Sequence, residues 1–103
     1  MILPFSAKDP SEKIVLGIDF TEPLNTGETI TAASWSILRS DGYTGDTTLA
    51  TSGAVDITAQ PVVRQLVQGG TAGSTYIHTV TVTTNQGRVL VASSSQAVTL
   101  GGA

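Results

Sequence analysis

The sequence predicts an all-β protein, an antiparallel β-sandwich of about seven short strands, on three observations. Its 103 residues are enough for one domain with one small core. Threonine, valine and isoleucine number 16, 10 and 7, and β-branched side chains favour the half-buried surface of strands. Eleven glycines and four prolines lie between the apolar runs, so turns separate short segments as they do in sandwiches.

Hydrophobic alternation locates the strands along the chain. Within 13–20, Ile14, Leu16 and Ile18 alternate with other residues, which predicts a strand with these three side chains in the core. Similar patterns predict strands over 30–38, 61–68, 75–84 and 88–100, and one or two short strands over 47–57.

Two short segments near the C-terminus predict the geometry of the last hairpin. Residues 85–87, Asn-Gln-Gly, suit a short hairpin loop with the glycine in the left-handed conformation. The three serines at 93–95 interrupt the apolar pattern of 88–100 and predict a bulge or a kink there.

Two aromatic residues sharpen the expected sandwich to an immunoglobulin-like one. Trp35 lies on the second long strand, where such folds bury a tryptophan, and we expect it in the core. Tyr76 begins a late strand just after a glycine-rich corner, which is the place of a tyrosine corner. Both are therefore expected to be structural residues of the core.

The N-terminus is predicted to be an arm, because Ile2, Leu3 and Phe5 precede Asp9-Pro10, where the residue before proline favours an extended chain. These three apolar side chains have two interpretations. They fold back onto this domain, or they dock on a neighbouring subunit, which makes them candidate partner-binding residues. The predicted organisation is an arm over 1–12, the sandwich over 13–100 and a frayed tail over 101–103.

Composition and charge narrow the function. The formal net charge is −3, from eight carboxylates against five bases, so nucleic-acid binding is not expected. No run approaches 18 consecutive apolar residues, and the N-terminus lacks the pattern of a signal peptide, so we expect no membrane partner and folding in the cytoplasm where the protein is made. The sequence has no cysteine, which excludes disulfides and thiolate metal sites.

The residues that catalyse reactions or bind metals form no recognisable pattern. His78 is the one histidine, and at mid-strand it is interpreted as a packing residue rather than a catalyst or ligand. Asp41 and Asp46 flank two glycines but lack the spacing of a calcium loop, which favours a solvated turn. The sequence therefore predicts no enzyme activity, no metal and no organic cofactor.

Short motifs follow one another in order from residue 4 to about residue 90: Pro4-Phe5, Lys8-Asp9-Pro10 with Glu12, Ile18-Asp19-Phe20-Thr21, Gly27-Glu28-Thr29-Ile30, Ala33-Ser34-Trp35-Ser36, Gly69-Gly70-Thr71-Ala72-Gly73 with Tyr76, Thr83-Thr84 and Gly87-Arg88. In this order and spacing, the chain resembles the fiber-tail adaptors of tailed bacteriophages, small virion proteins close to the head–tail connection. The segment 39–59 is longer and more polar than the corresponding part of that family's pattern. We therefore expect it to contact a partner particular to this protein.

The resemblance implies an immunoglobulin-like structural protein of the virion, without enzyme activity, that links tail or portal-associated proteins to fibers. It also implies other virion proteins as partners and several symmetric copies in the particle. One alternative is a capsid decoration or accessory head protein. A carbohydrate-binding module is a weaker alternative. Such modules usually present a row of exposed aromatic residues, and here Tyr43 is the one aromatic residue expected on the surface.

Overall fold

The computed structural model describes residues 5, 7–21, 23–43, 45 and 48–101. Within them the chain forms six β-strands: β1 (Lys13–Asp19), β2 (Ile30–Arg39), β3 (Ala50–Thr51), β4 (Val62–Gln68), β5 (Thr75–Thr84) and β6 (Val89–Ala97). The described residues contain no helix, and so none that is long and apolar enough to cross a membrane.

The strands form two antiparallel sheets of three, with the orders β1-β4-β3 and β2-β5-β6. The predicted all-β class is therefore correct, but the described residues hold six strands rather than about seven. The difference lies in the described part of the predicted 47–57 segment, residues 48–57, where β3 has two residues and a second strand is reduced to one bridge between Asp56 and Arg64. Gly53, whose φ is +78°, turns the chain between the two, while Leu49, Val55 and Ile57 on either side of it pack against the core.

The buried side chains between the two sheets form two clusters. The alternating pattern of each strand turns one set of side chains inward, as Leu16 and Ile18 are in β1. The main buried cluster takes members from both sheets: Ile18, Phe20, Ile30, Val63, Val80, Val82 and Ala92. A second cluster joins Leu49, Tyr76 and Val98, with Ile37 packed against it.

The irregularity expected at serines 93–95 is absent, and that prediction was wrong. Strand β6 pairs with β5 in one unbroken register through these serines. Serine is small and can hydrogen-bond on either face of a sheet: the Ser93 hydroxyl lies 3.3 Å from that of Thr79, while Ser94 is buried. The described irregularity lies in β2 instead, between Ile30 and Ala32.

Gly69 closes the turn between β4 and β5. Its φ is +83°, and a Cβ atom at this position would lie 2.0 Å from the carbonyl oxygen of Thr48. Only glycine fits a backbone that is both left-handed and this close to a neighbour. The chain can therefore return into β5 and place Tyr76 at its buried start.

Candidate interaction site

The N-terminal segment lies along the free edge of β6. The Phe5 and Lys8 amides donate to the carbonyl oxygens of Ser95 and Ala97 at 2.9 and 3.0 Å. The Thr99 amide donates in turn to the carbonyl of Lys8 at 2.8 Å, which makes a parallel bridge beside the end of β6. Ile2 and Leu3, the other two candidates of the arm, lie outside the described residues.

Lys8 anchors this segment with a buried side chain. Its ammonium donates to the carbonyl oxygens of Gly69 at 2.7 Å and Asp9 at 2.9 Å. Burial lowers the pKa of the Lys8 ammonium, while the nearby carboxylates of Glu12 and Asp9 act in the opposite direction. Sequence reasoning missed Lys8, because a single lysine in a predicted arm gives no sign that a distant carbonyl will accept from it.

The Asp9 carboxylate holds the turn that follows. It accepts from the hydroxyl and amide of Ser11 at 2.6 and 2.8 Å and from the Gly101 amide at 2.7 Å. These bonds, the Ser11 hydroxyl first, lower the pKa of Asp9 to about 2. Gly101, expected at the start of a frayed tail, is thereby joined to the N-terminal segment.

Phe5 packs on its own domain in a cluster of aromatic rings. Its ring stacks on Trp35 with 6.1 Å between centroids and meets the edge of His78 at 5.2 Å. These are contacts that the first interpretation of the arm expects, while partner binding by Phe5 stays a prediction. Trp35 itself is half-buried against the main core cluster.

The imidazole of His78 connects this cluster to β6. The Trp35 indole N–H donates to Nδ1 of His78 at 2.9 Å, so Nε2 carries the proton and lies 3.1 Å from Oε1 of Gln96. The ring is fully buried, and burial lowers its pKa to about 4. A neutral imidazole with both nitrogens occupied cannot take a proton from a substrate in this arrangement. Among the described residues, no three His, Asp or Glu side chains group as a metal site.

Tyr76 is buried at the start of β5, with 1% of its surface exposed. Its hydroxyl oxygen accepts from the Thr71 amide, five residues upstream, at 2.8 Å. This contact ties the glycine-rich turn to the core, as a tyrosine corner does.

Tyr76→Phe is expected to lower the free energy of unfolding by about 1 to 3 kcal/mol, because a part-buried amide loses its acceptor while the ring stays. Urea denaturation at pH 7 measures the change. Tyr43→Phe is the matched control, since that ring is exposed and should change little. Equal stability of the two variants would contradict the role of the hydroxyl.

A second buried charge fixes the loop before β2. The Glu28 carboxylate accepts from Nε of Arg88 at 2.9 Å, from the Thr84 hydroxyl at 2.6 Å and from the Asn25 amide at 2.9 Å. These partners, Arg88 first, lower the pKa of Glu28 to about 2. Glu28 and Arg88 fall within the motifs noted in the sequence, but their pairing across 60 residues was not predicted.

The outer face of the β2-β5-β6 sheet carries no charged side chain. Four rows of three residues make this uncharged face: Ala32, Thr83 and Val89; Ser34, Thr81 and Val91; Ser36, Thr79 and Ser93; Leu38, Ile77 and Ser95. Apolar residues are exposed on both outer strands of this face: Leu38 on β2 is 51% exposed and Val91 on β6 is 62% exposed. The outer side of the other sheet, in contrast, carries Lys13, Asp19 and Arg64.

The charged residues that the structure describes in the polar segment 39–59 form ion pairs. The Arg39 guanidinium donates to Asp41 at 2.6 Å and lies 5.1 Å from the centre of the exposed Tyr43 ring. Arg64 binds Asp56 at 2.7 Å in a shallow depression on the outside of the β1-β4-β3 sheet. Asp46 lies outside the described residues.

An uncharged sheet face with exposed apolar side chains is a surface that suits contact with another protein. The family model of the podophage GP4 fiber-tail adaptor protein gp77 matches residues 8–95. The chain belongs to this family, which confirms the resemblance seen in the sequence motifs. No curated protein matches the chain.

Proposed function

We propose that this protein is a structural component of the virion that links tail or portal-associated proteins to the fibers. The family match over residues 8–95 carries this proposal, because it spans both sheets. The uncharged face supports it as well, since burying such a face against another protein leaves no charge without a partner. The net charge of −3 argues against nucleic acid as the partner.

We further propose that the fold is an immunoglobulin-like sandwich. Constant-type immunoglobulin domains have strands A, B, E and D in one sheet and C, F and G in the other. The orders β1-β4-β3 and β2-β5-β6 fit that scheme, with Trp35 on the C-like strand and Tyr76 starting the F-like one. Phe5 and Lys8 lie beside β6, whereas strand A of that scheme would lie beside β1.

Within the arm, we propose a division of roles. Phe5 and Lys8 attach the segment to its own domain through the contacts described above. Ile2 and Leu3 remain the candidates for binding a partner subunit, and repetition of this contact in several symmetric copies would multiply a small gain per copy.

The experiment is complementation of a phage that lacks this protein. We expect particles without it to carry fewer fibers, and the wild-type chain, folded in the host cytoplasm, to restore them. Density for the chain at the tail would support the adaptor role, whereas density on the head surface would favour the capsid-decoration alternative. Unchanged fiber content without the protein would contradict the proposal.

The arm is tested with two matched variants. Ile2→Ser with Leu3→Ser is expected to reduce incorporation into particles while the melting temperature of the isolated protein stays constant. Phe5→Ser is expected to lower the melting temperature, because it removes the ring stacked on Trp35 and His78. Normal incorporation of the Ile2 and Leu3 variant would remove these residues from the site.

A further inference from the structure

Strand β2 is the least protected edge of the two sheets. Proteins protect edge strands with charges, short length or a covering segment, because an edge presents unpaired backbone groups. Strand β1 carries Lys13 and Asp19 at its ends, β3 has two residues, and the end of β6 is paired with the N-terminal segment. By contrast, β2 is ten residues long and uncharged until Arg39.

The direction of the backbone groups of β2 follows from its pairing. The Ser40 amide donates to the Thr75 carbonyl of β5, so by alternation Ser36 and Ser34 also turn their backbone groups towards β5. The backbone N–H and C=O groups of Ala33, Trp35 and Ile37 therefore point away from β5, towards the free edge of the sheet. In the part of the chain that the structure describes, the backbone N–H and C=O groups of Ala33, Trp35 and Ile37 make no hydrogen bond to another backbone or side-chain group.

Gln60 marks where this free edge begins. Its side-chain amide accepts from the Ile30 amide at 2.9 Å and donates to the Ile30 carbonyl at 2.8 Å. The carboxamide thus makes both hydrogen bonds that a neighbouring strand would make at this residue. Any added strand must therefore begin after Ile30.

We propose that β2 pairs with β2 of a second copy of this chain, antiparallel and with the two-fold axis at Trp35. In this register Trp35 faces its own equivalent, and Ala33 faces Ile37 of the second copy, so six backbone hydrogen bonds form. On the uncharged face, the exposed Leu38 lies over the small Ala32 of the second copy. The resulting six-stranded sheet has a continuous uncharged face.

The distribution of charge favours a second copy of this chain, paired antiparallel, as the partner of β2. An antiparallel pair keeps the two Arg39 guanidinium groups at opposite ends of the interface, whereas a parallel pair would bring like charges together. No charged side chain lies between Ile30 and Leu38, so two copies meet there without repulsion. The pairing goes beyond the proposed function, since it concerns contact between copies rather than with fibers.

The size of the interface predicts a weak dimer. A single strand pair buries less than the roughly 1,200 Å² at which standard protein interfaces begin, so we expect a dissociation constant in the micromolar range or above. The high local concentration of copies within one particle would favour the paired state.

Engineered cysteines test the register directly, because the chain has none of its own. In the proposed pair Ser34 lies opposite Ser36 of the second copy at a Cα distance of about 4.5 Å, which is within reach of a disulfide. A mixture of Ser34→Cys and Ser36→Cys proteins should form covalent dimers on mild oxidation. Either variant alone should cross-link less, since its cysteines are then diagonal neighbours about 7 to 8 Å apart.

The control is Ser93→Cys, an exposed cysteine on β6 of the same sheet. Cross-linking of the mixture no faster than this control would overturn the proposal. Sedimentation equilibrium over about 10 µM to 1 mM gives an independent measurement. We expect the wild type to dimerise and Ala33→Pro to remain monomeric, because proline removes an outward amide and leaves the β5 ladder intact.

If Ala33→Pro does not fold, Ser34→Lys is the alternative variant that should prevent dimerisation. A lysine on the edge strand opposes strand pairing without changing the core. Its circular-dichroism spectrum should match that of the wild type. A wild type that stays monomeric at every concentration would overturn the proposal, as would dimers that persist in Ser34→Lys.

Discussion

Trp35→Ala is expected to lower the free energy of unfolding by about 3 to 5 kcal/mol, as for other large aromatic truncations. The change removes the ring on which Phe5 stacks and leaves Nδ1 of His78 without its donor. Small domains have about 5–15 kcal/mol in total, so the variant should be close to unfolded at 37 °C. Thermal denaturation in dilute solution, where a second copy contributes nothing, measures the effect.

Trp35→Phe separates the two contributions. It keeps an aromatic ring beside Phe5 but removes the indole N–H, so a smaller loss of about 1 to 2 kcal/mol is expected. An unchanged melting temperature for Trp35→Ala would show that the half-buried indole contributes no packing to the core.

The stability of the protein is expected to fall as the pH decreases from about 6.5 to about 4. The pKa of His78 is about 4 in the folded protein against an ordinary value of 6.5, so in this range the unfolded chain binds a proton that the folded one does not. A difference of this size corresponds to about 3 kcal/mol, lost progressively across the window. Melting temperatures at pH 7, 5.5 and 4.5 follow the loss.

His78→Gln provides the control for this prediction. The glutamine side chain has an acceptor and a donor but does not titrate, so the melting temperature of this variant should change little between pH 6.5 and 4.5. At lower pH both proteins should lose stability, because the Glu28 pKa of about 2 lies below its ordinary 4.5. An equal slope in both proteins above pH 4.5 would show that His78 does not carry the effect.

The strands could be predicted where apolar and polar residues alternate strictly, because such a pattern allows only one face of the strand to be buried. Strand β5 begins at Thr75 and ends at Thr84 as expected, because each inward position is apolar or aromatic except His78 and Thr84. The serines of β6 misled the prediction, since serine is compatible with a bulge and with either face of a sheet.

The contacts of the candidate site could not be predicted in the same way. A strand pattern states which face a side chain takes, but not which distant residue it meets there. The buried ammonium of Lys8 under Gly69 and the pairing of Glu28 with Arg88 both join residues about 60 positions apart. Phe5 was correctly marked as apolar and outside the strands, yet only the folded chain brings its ring onto Trp35.

The hydrogen bond between Asp9 and Gly101 has a practical consequence for labelling the protein in particles. It holds Gly101 beside Asp9, next to the end of β6. A label attached next to Gly101 would therefore crowd the N-terminal segment around Asp9. The turn at Gly87 lies at the other end of this sheet, about 30 Å away along the ten residues of β5, and is exposed. An epitope inserted there would report the orientation of the chain in the particle and leave the N-terminal segment untouched.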